Sequence, residues 1–165
     1  YISGLNIFIQ GGSHEDSLNI INSNGNINSI NIQDSFQDAI DFDFSNLKVN
    51  NISVKNAGND CLDTSSGKYF VKNINLEGCL DKGVSVGEKS SLQLNNASIK
   101  DTKIALVSKD NSKLVLKKGQ LLNNNICAAA YNKKQEFGPS FISIPSKLCP
   151  EDRLAIQIFS RLKIK

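Results

Sequence analysis

The residues best suited to chemistry recur at a fixed interval. Asp38, Asp41 and Asp43 fall together, then Asn59, Asp60 and Asp63, then Asp81, Lys82, Ser85 and Glu88. Asp38, Asp60 and Lys82 are spaced 22 residues apart, as are Asp41, Asp63 and Ser85. If successive 22-residue units stack as β-strands, such groups come within about 5 Å of one another. Like charges that close raise each other's pKa, which is how paired carboxylates divide into an acid and a base. They also attract cations, Ca²⁺ included, since that ion takes carboxylate and carbonyl oxygens. Lys82, one unit above Asp60, offers a cation from the protein itself. An Asp60–Lys82 pair is therefore expected in preference to a bound metal, and no cofactor is expected. Lys109, Lys133 and Lys134 follow along the same side, so acidic units give way to basic ones. Three readings stay open: a solvated, self-neutralising outer face, a ligand or ion site, or a catalytic one. The candidate binding residues are Asp41, Asp63, Asp81, Lys82, Glu88, Lys109 and Lys133. Asp38 and Asp60 form the acid–base pair if the chain is an enzyme.

The same interval organises the apolar residues that must position these groups. Ser17, Ala39, Cys61, Gly83, Ala105 and Cys127 are all small and 22 residues apart. Each is followed by an apolar residue: Leu18, Ile40, Leu62, Val84, Leu106 and Ala128. Two positions further on lie Ile20, Phe42, Thr64, Val86, Ser108 and Ala130. Alternate residues of a strand share a face, so these two columns form the inner face of one stacked strand. A second column runs Ile27, Val49, Val71, Leu94 and Leu116, with one residue inserted before Leu94. A third strand pairs Ile30 with Ile32, Ile52 with Val54, Ile74 with Leu76, Ala97 with Ile99, and Gly119 with Leu121.

The expected fold is all-β: a right-handed parallel β-helix of about six coils, with three short strands in each. At the usual strand spacing six coils rise about 29 Å. Between the second and third strands stand Ser29, Asn51, Asn73 and Asn96. Asparagine tolerates the left-handed backbone of a tight corner, and stacked asparagines hydrogen-bond up a ladder. The solenoid is expected over residues 1–144. The period breaks after Ala130, and residues 145–165 read as a cap on the open end or as a tail.

Composition narrows the function. A net charge of +3 without aromatic residues interleaved among basic ones gives no nucleic-acid signature. No run approaches the ~20 apolar residues of a membrane helix, so membrane insertion is not expected. The absence of Met suggests a processed product or a fragment of a longer chain. Cys61, Cys79, Cys127 and Cys149 match no zinc spacing and are expected as small buried apolar residues. Cys61 and Cys127 share a column but lie three coils, about 14 Å, apart. That is beyond the reach of a disulfide, and both are expected to be free thiols.

From Gln37 to Glu88 the coils resemble pectinase-type β-helices, polygalacturonases in particular. That family reads Asn-Thr-Asp-Gly, then Asp-Asp-Cys, then Gly-His-Gly followed by Ile-Ser-Ile-Gly in successive coils. Here the sequence reads Gln37-Asp38-Ala39, Asn59-Asp60-Cys61, and Asp81-Lys82-Gly83 followed by Val84-Ser85-Val86-Gly87. The resemblance implies inverting hydrolysis of a glycosidic bond, with Asp38 and Asp60 at matched positions. Asn59, however, stands where the family has a third aspartate, and Lys82 where it has a histidine. Leu106-Val107-Ser108-Lys109 replaces an Arg-Ile-Lys motif, and the only histidine, His14, lies coils away. An amide cannot exchange protons as a carboxyl does.

Asp81-Lys-Gly-Val-Ser-Val-Gly-Glu88, Val107-Ser-Lys-Asp110 and Ala130-Tyr-Asn-Lys-Lys-Gln-Glu-Phe-Gly138, in the stretch from Asp38 to Gly138, also resemble bacterial right-handed β-helix repeat proteins. That likeness implies an extracellular or cell-envelope location. The resulting expectation is a non-catalytic module that binds a polysaccharide, or serves as a scaffold within a longer chain. The alternative is a hydrolase or lyase acting on a uronate polymer, with Lys82, Lys109 and Lys133 holding its carboxylates.

Overall fold

The computed structural model describes residues 1–165, almost all of them in or between β-strands. Numbered in chain order, the odd strands form one eight-stranded sheet: β1 (Ile2–Gln10), β3 (Asn24–Ser35), β5 (Asn46–Ala57), β7 (Lys68–Cys79), β9 (Ser91–Lys100), β11 (Lys113–Leu122), β13 (Phe141–Ile144) and β15 (Arg161–Ile164). The even strands form a seven-stranded sheet: β2 (Asp16–Ile21), β4 (Asp38–Asp43), β6 (Leu62–Ser65), β8 (Lys82–Gly87), β10 (Ile104–Lys109), β12 (Ile126–Tyr131) and β14 (Leu154–Ile156). Neighbouring strands are parallel and one coil apart. The chain is thus a parallel β-solenoid of about seven coils, close to the six expected.

The columns read from the sequence are the observed register. Leu18, Ile40, Leu62, Val84, Leu106 and Ala128 stack in turn. Leu62 and Val84 are fully buried. Ile27, Val49, Val71, Leu94 and Leu116 stack likewise, and the inserted residue before Leu94 is absorbed without loss of register. Burying these aliphatic columns between the two sheets is the main stabilising contribution.

Two expectations about local geometry are corrected. The second and third strands of each coil are one long strand, so a coil has two strands rather than three. Pairing runs from Val49↔Val71 straight to Asn51↔Asn73, so only one residue at the bend is left out of the ladder. The left-handed corners also fall elsewhere than Asn51, Asn73 and Asn96. They form two columns of their own. One is Asn22, Phe44, Ser66, Glu88 and Asp110, and the other is Asp34, Asn56, Gly78, Asp101 and Asn123. These are the two reversals between the sheets, where the chain turns sharply enough to need positive φ. A bend within a continuous strand does not.

A serine column closes one corner. The backbone N–H of Ser23 donates to Ser45 Oγ at 2.9 Å, and that of Ser90 to Ser112 Oγ at 3.1 Å. Gly67 interrupts this column, and Tyr69 fills the gap. The Ser45 N–H donates to the Tyr69 hydroxyl at 3.3 Å, which itself donates to the Phe42 carbonyl at 2.9 Å. A Cβ on residue 67 would sit 2.1 Å from the Ser45 carbonyl oxygen and 2.4 Å from that hydroxyl, so only glycine fits here.

The cysteines overturn the free-thiol expectation. Cys61 and Cys127 do not pair with each other, but each is bridged: Cys61 to Cys79 and Cys127 to Cys149, with Cα atoms 5.5 and 5.6 Å apart. Cys79 ends the long strand of the coil that Cys61 begins, so the bridge closes the coil on itself. Equivalent positions one and two coils earlier hold Ala39 with Ala57, and Ser17 with Ser35, whose hydroxyls are hydrogen-bonded at 2.9 Å. Residues 145–165 contribute a 3-10 turn, Glu151–Arg153, and strands β14 and β15, which extend both sheets.

Candidate functional site

The Asp38, Asp60 and Lys82 column stands at the entrance to β4, β6 and β8. There the chain arrives from a corner and its backbone N–H groups need acceptors. Asp38 Oδ1 accepts from the Asp60 N–H at 2.8 Å and from the Asn59 amide at 2.7 Å. Asp60 Oδ1 accepts from the Lys82 N–H at 3.0 Å. Each aspartate thus ties its own coil to the next. The expected ion pair is present, with Lys82 Nζ 3.2 Å from Asp60 Oδ1. Lys82 also pairs with Asp81, and Asp81 with Lys103 at 3.3 Å.

Burial and charge act against each other here. Asp60 is 3% exposed. Burial raises its pKa, Lys82 lowers it, Asp63 and Asp38 raise it, and the result is about 6. Asp38 is also raised, first by burial and then by Asp63 and Asp16, against the hydrogen bonds it accepts. Burial would lower the Lys82 amine, but its bond to Asp81 and the charge of Asp60 hold it above its ordinary range. Asp81 is held low because Lys82 and Lys103 outweigh its burial.

Asp41 and Asp63 lie on the outer face of the even-strand sheet, stacked in register. Residues 1–47 contain no Lys or Arg, so this end of the face has no cation of its own. Burial, then Asp43, Asp63, Asp16 and Asp38, push Asp41 up to about 7. The nearest relief comes from two coils above, where Lys109 reaches down to within 3.5 Å of Asp63 Oδ2. Its stem lies along Gly87. A Cβ there would be 2.7 Å from Lys109 Cε, so a glycine at 87 leaves the path open. Ser85, between Asp63 and Val107 in this column, is fully buried and its hydroxyl has no partner.

The remaining candidates do not join this group. Glu88 pairs with Lys134 at the neighbouring corner. Lys133 is exposed, and its backbone N–H donates to Asp110 Oδ1. No set of three or more Asp, Glu, His or Cys side chains is arranged to hold a metal ion. None of the grooves is lined by the Asp38–Asp60–Lys82 column or by Asp41, Asp63 and Lys109; of the candidates only Glu88 borders one.

The largest groove, about 670 Å³, is on the other sheet. One bank is the Ser29, Asn51, Asn73 and Asn96 column, continued by Lys118. Its amides form the expected ladder: Asn73 Nδ2 donates to Asn51 Oδ1 at 2.9 Å, and Asn96 Nδ2 to Asn73 Oδ1 at 3.0 Å. The opposite bank is the column two residues on, which includes Ser53, Asn75 and Ser98. Sequence reasoning treated the asparagines as corner residues and missed the trough. The signal was there: small polar residues at both columns, repeated over the same coils. No helix is long and apolar enough to cross a membrane. Compared with family models, with curated proteins and with solved structures, the chain matches none.

Proposed function

We propose that this chain is a non-catalytic β-solenoid module of an exported protein, and that its outer surface binds a polysaccharide. The observation that carries this reading is the engagement of Asp38 and Asp60. They stand where the polygalacturonase resemblance would put the acid and the base. Both accept backbone N–H groups of the next coil, and Asp60 is buried against Lys82. An inverting pair needs two carboxyl groups open to substrate, with room for a water between them, and no groove opens over these two. The two disulfides support export, since such bridges persist in oxidising compartments.

One observation favours the alternative of a glycan-cleaving enzyme. Asp41, raised to about 7, keeps a proton about half the time at neutral pH, and Asp60, raised to about 6, does so in mildly acidic solution, as a general acid requires. Incubation with polygalacturonate, followed by assays for reducing ends and unsaturated products, separates the two. No turnover above the background of Asp60→Asn is expected. Turnover that Asp60→Asn abolishes would make the chain an enzyme.

A further inference from the structure

We infer that the trough along the Asn51, Asn73 and Asn96 ladder is a binding site for a linear, uncharged polysaccharide lying parallel to the solenoid axis. This rests on the glycan-binding reading above and names its site. The two banks differ in a way that suits a ligand. On one, amide–amide bonds fix the side chains in a single orientation. Each bridging Oδ1 keeps a free lone pair, and Asn73 keeps a second N–H. On the other, Ser53, Asn75 and Ser98 make no side-chain hydrogen bond within the protein, so their hydroxyls and amide face solvent unpartnered. Donors and acceptors therefore repeat at the coil spacing, about 4.8 Å, on both sides of a floor made by the backbone of the buried Ile52 and Ile74.

The chemistry selects the ligand class. Lys118, at one end, is the only charged residue on the trough, and no aromatic ring lines it. A uronate polymer would find one cation for many carboxylates. A hydroxyl-rich neutral chain finds an amide or hydroxyl at every coil. The adjoining column carries the long charged side chains of Lys55, Glu77 and Lys100, and none of these lines the trough. Pre-orientation of the ladder lowers the ordering cost of binding. Without stacking, affinity should accumulate with chain length rather than at one ring.

Calorimetric titration of the full chain with cello- and manno-oligosaccharides of increasing length, and with polygalacturonate, tests this. Ser53→Arg/Ser98→Arg fills the trough without removing a protein hydrogen bond, and Lys55→Ala on the same strand is the control. The expected result is binding of the neutral chains that tightens with length. The double variant should weaken it by about tenfold or more, with an unchanged melting temperature, and the control should not. Neutral chains bound equally well by the double variant would overturn the trough and leave the glycan-binding reading standing. Binding of polygalacturonate alone would do the same. No binding of any of these would remove both.

Discussion

At the entrance to the short strands β4 and β6, and at the bend of the long strands β7 and β9, a polar side chain reaches from one coil to the next. At Asp38 and Asp60 the reaching group is charged, and the atom it meets is a backbone N–H. At Asn73 and Asn96 it is neutral, and it meets its own kind. The charged column is ion-paired around the buried Asp60 and covalently closed, because Cys61 follows Asp60 directly and bridges to Cys79. The amide column is open to solvent along a groove. A buried charge must be satisfied fully or it destabilises the fold, so the first column has little left for a ligand. A solvated amide has bonding capacity to spare. The contrast separates the part of the surface that holds the coils together from the part free to bind.

The contrast predicts unequal costs of mutation. The largest belongs to the bridge beside the charged column. Cys61→Ala/Cys79→Ala should lower stability by about 3 kcal/mol, measured by chemical unfolding against the wild type. A change under about 1 kcal/mol would mean the coil is held by packing alone. Lys82→Ala comes next. It leaves Asp60 buried with like charges around it, at a cost of about 2 kcal/mol, less than for a fully buried pair because Lys82 is partly exposed. The same change should raise the Asp60 pKa, readable by carboxyl NMR titration. Asn73→Ala should cost about 1 kcal/mol or less, since water replaces the lost amide bonds. A loss equal to that of Lys82→Ala would erase the distinction between the columns.

The remaining effect is a pH dependence. The folded-state pKa of Asp41, about 7, lies above its unfolded value near ~3.9. The folded chain therefore holds a proton that the unfolded chain releases, and this contribution is lost as pH rises from about 4 to about 7. Asp41→Asn should accordingly raise the melting temperature at pH values above that window and leave it nearly unchanged below. An unchanged melting temperature above the window would mean that neither burial nor the charges of Asp43 and Asp63 penalise the Asp41 carboxylate.

Much of this was legible from spacing. The 22-residue interval fixed the inner columns, the stacking of Leu62 on Val84, the amide ladder and the Asp60–Lys82 pair, because a stacked coil turns period directly into contact. What period cannot give is geometry within one coil. Cys61 and Cys79 are 18 residues apart and share no column, yet they meet because the coil returns there. The clue was that the positions of Ser17 and Ser35, and of Ala39 and Ala57, are also small. The left-handed corners were misplaced for the same reason: Phe44 and Ser66 adopt them because the turn demands it, not because the residue type favours it. The trough depends on side-chain size at two outer columns together, while the carboxylates drew attention to the other sheet.

The measurement that bears most directly on the division between the two columns is thermal unfolding of the wild type and Lys82→Ala, each with and without Ca²⁺. A ligand that binds only the folded state raises its melting temperature. If Lys82 already satisfies Asp60, Ca²⁺ should leave the wild type unmoved, while Lys82→Ala should melt lower and recover part of the loss with Ca²⁺. A calcium-dependent rise in the wild type would contradict this. The charged column would then be an ion site rather than a part of the frame.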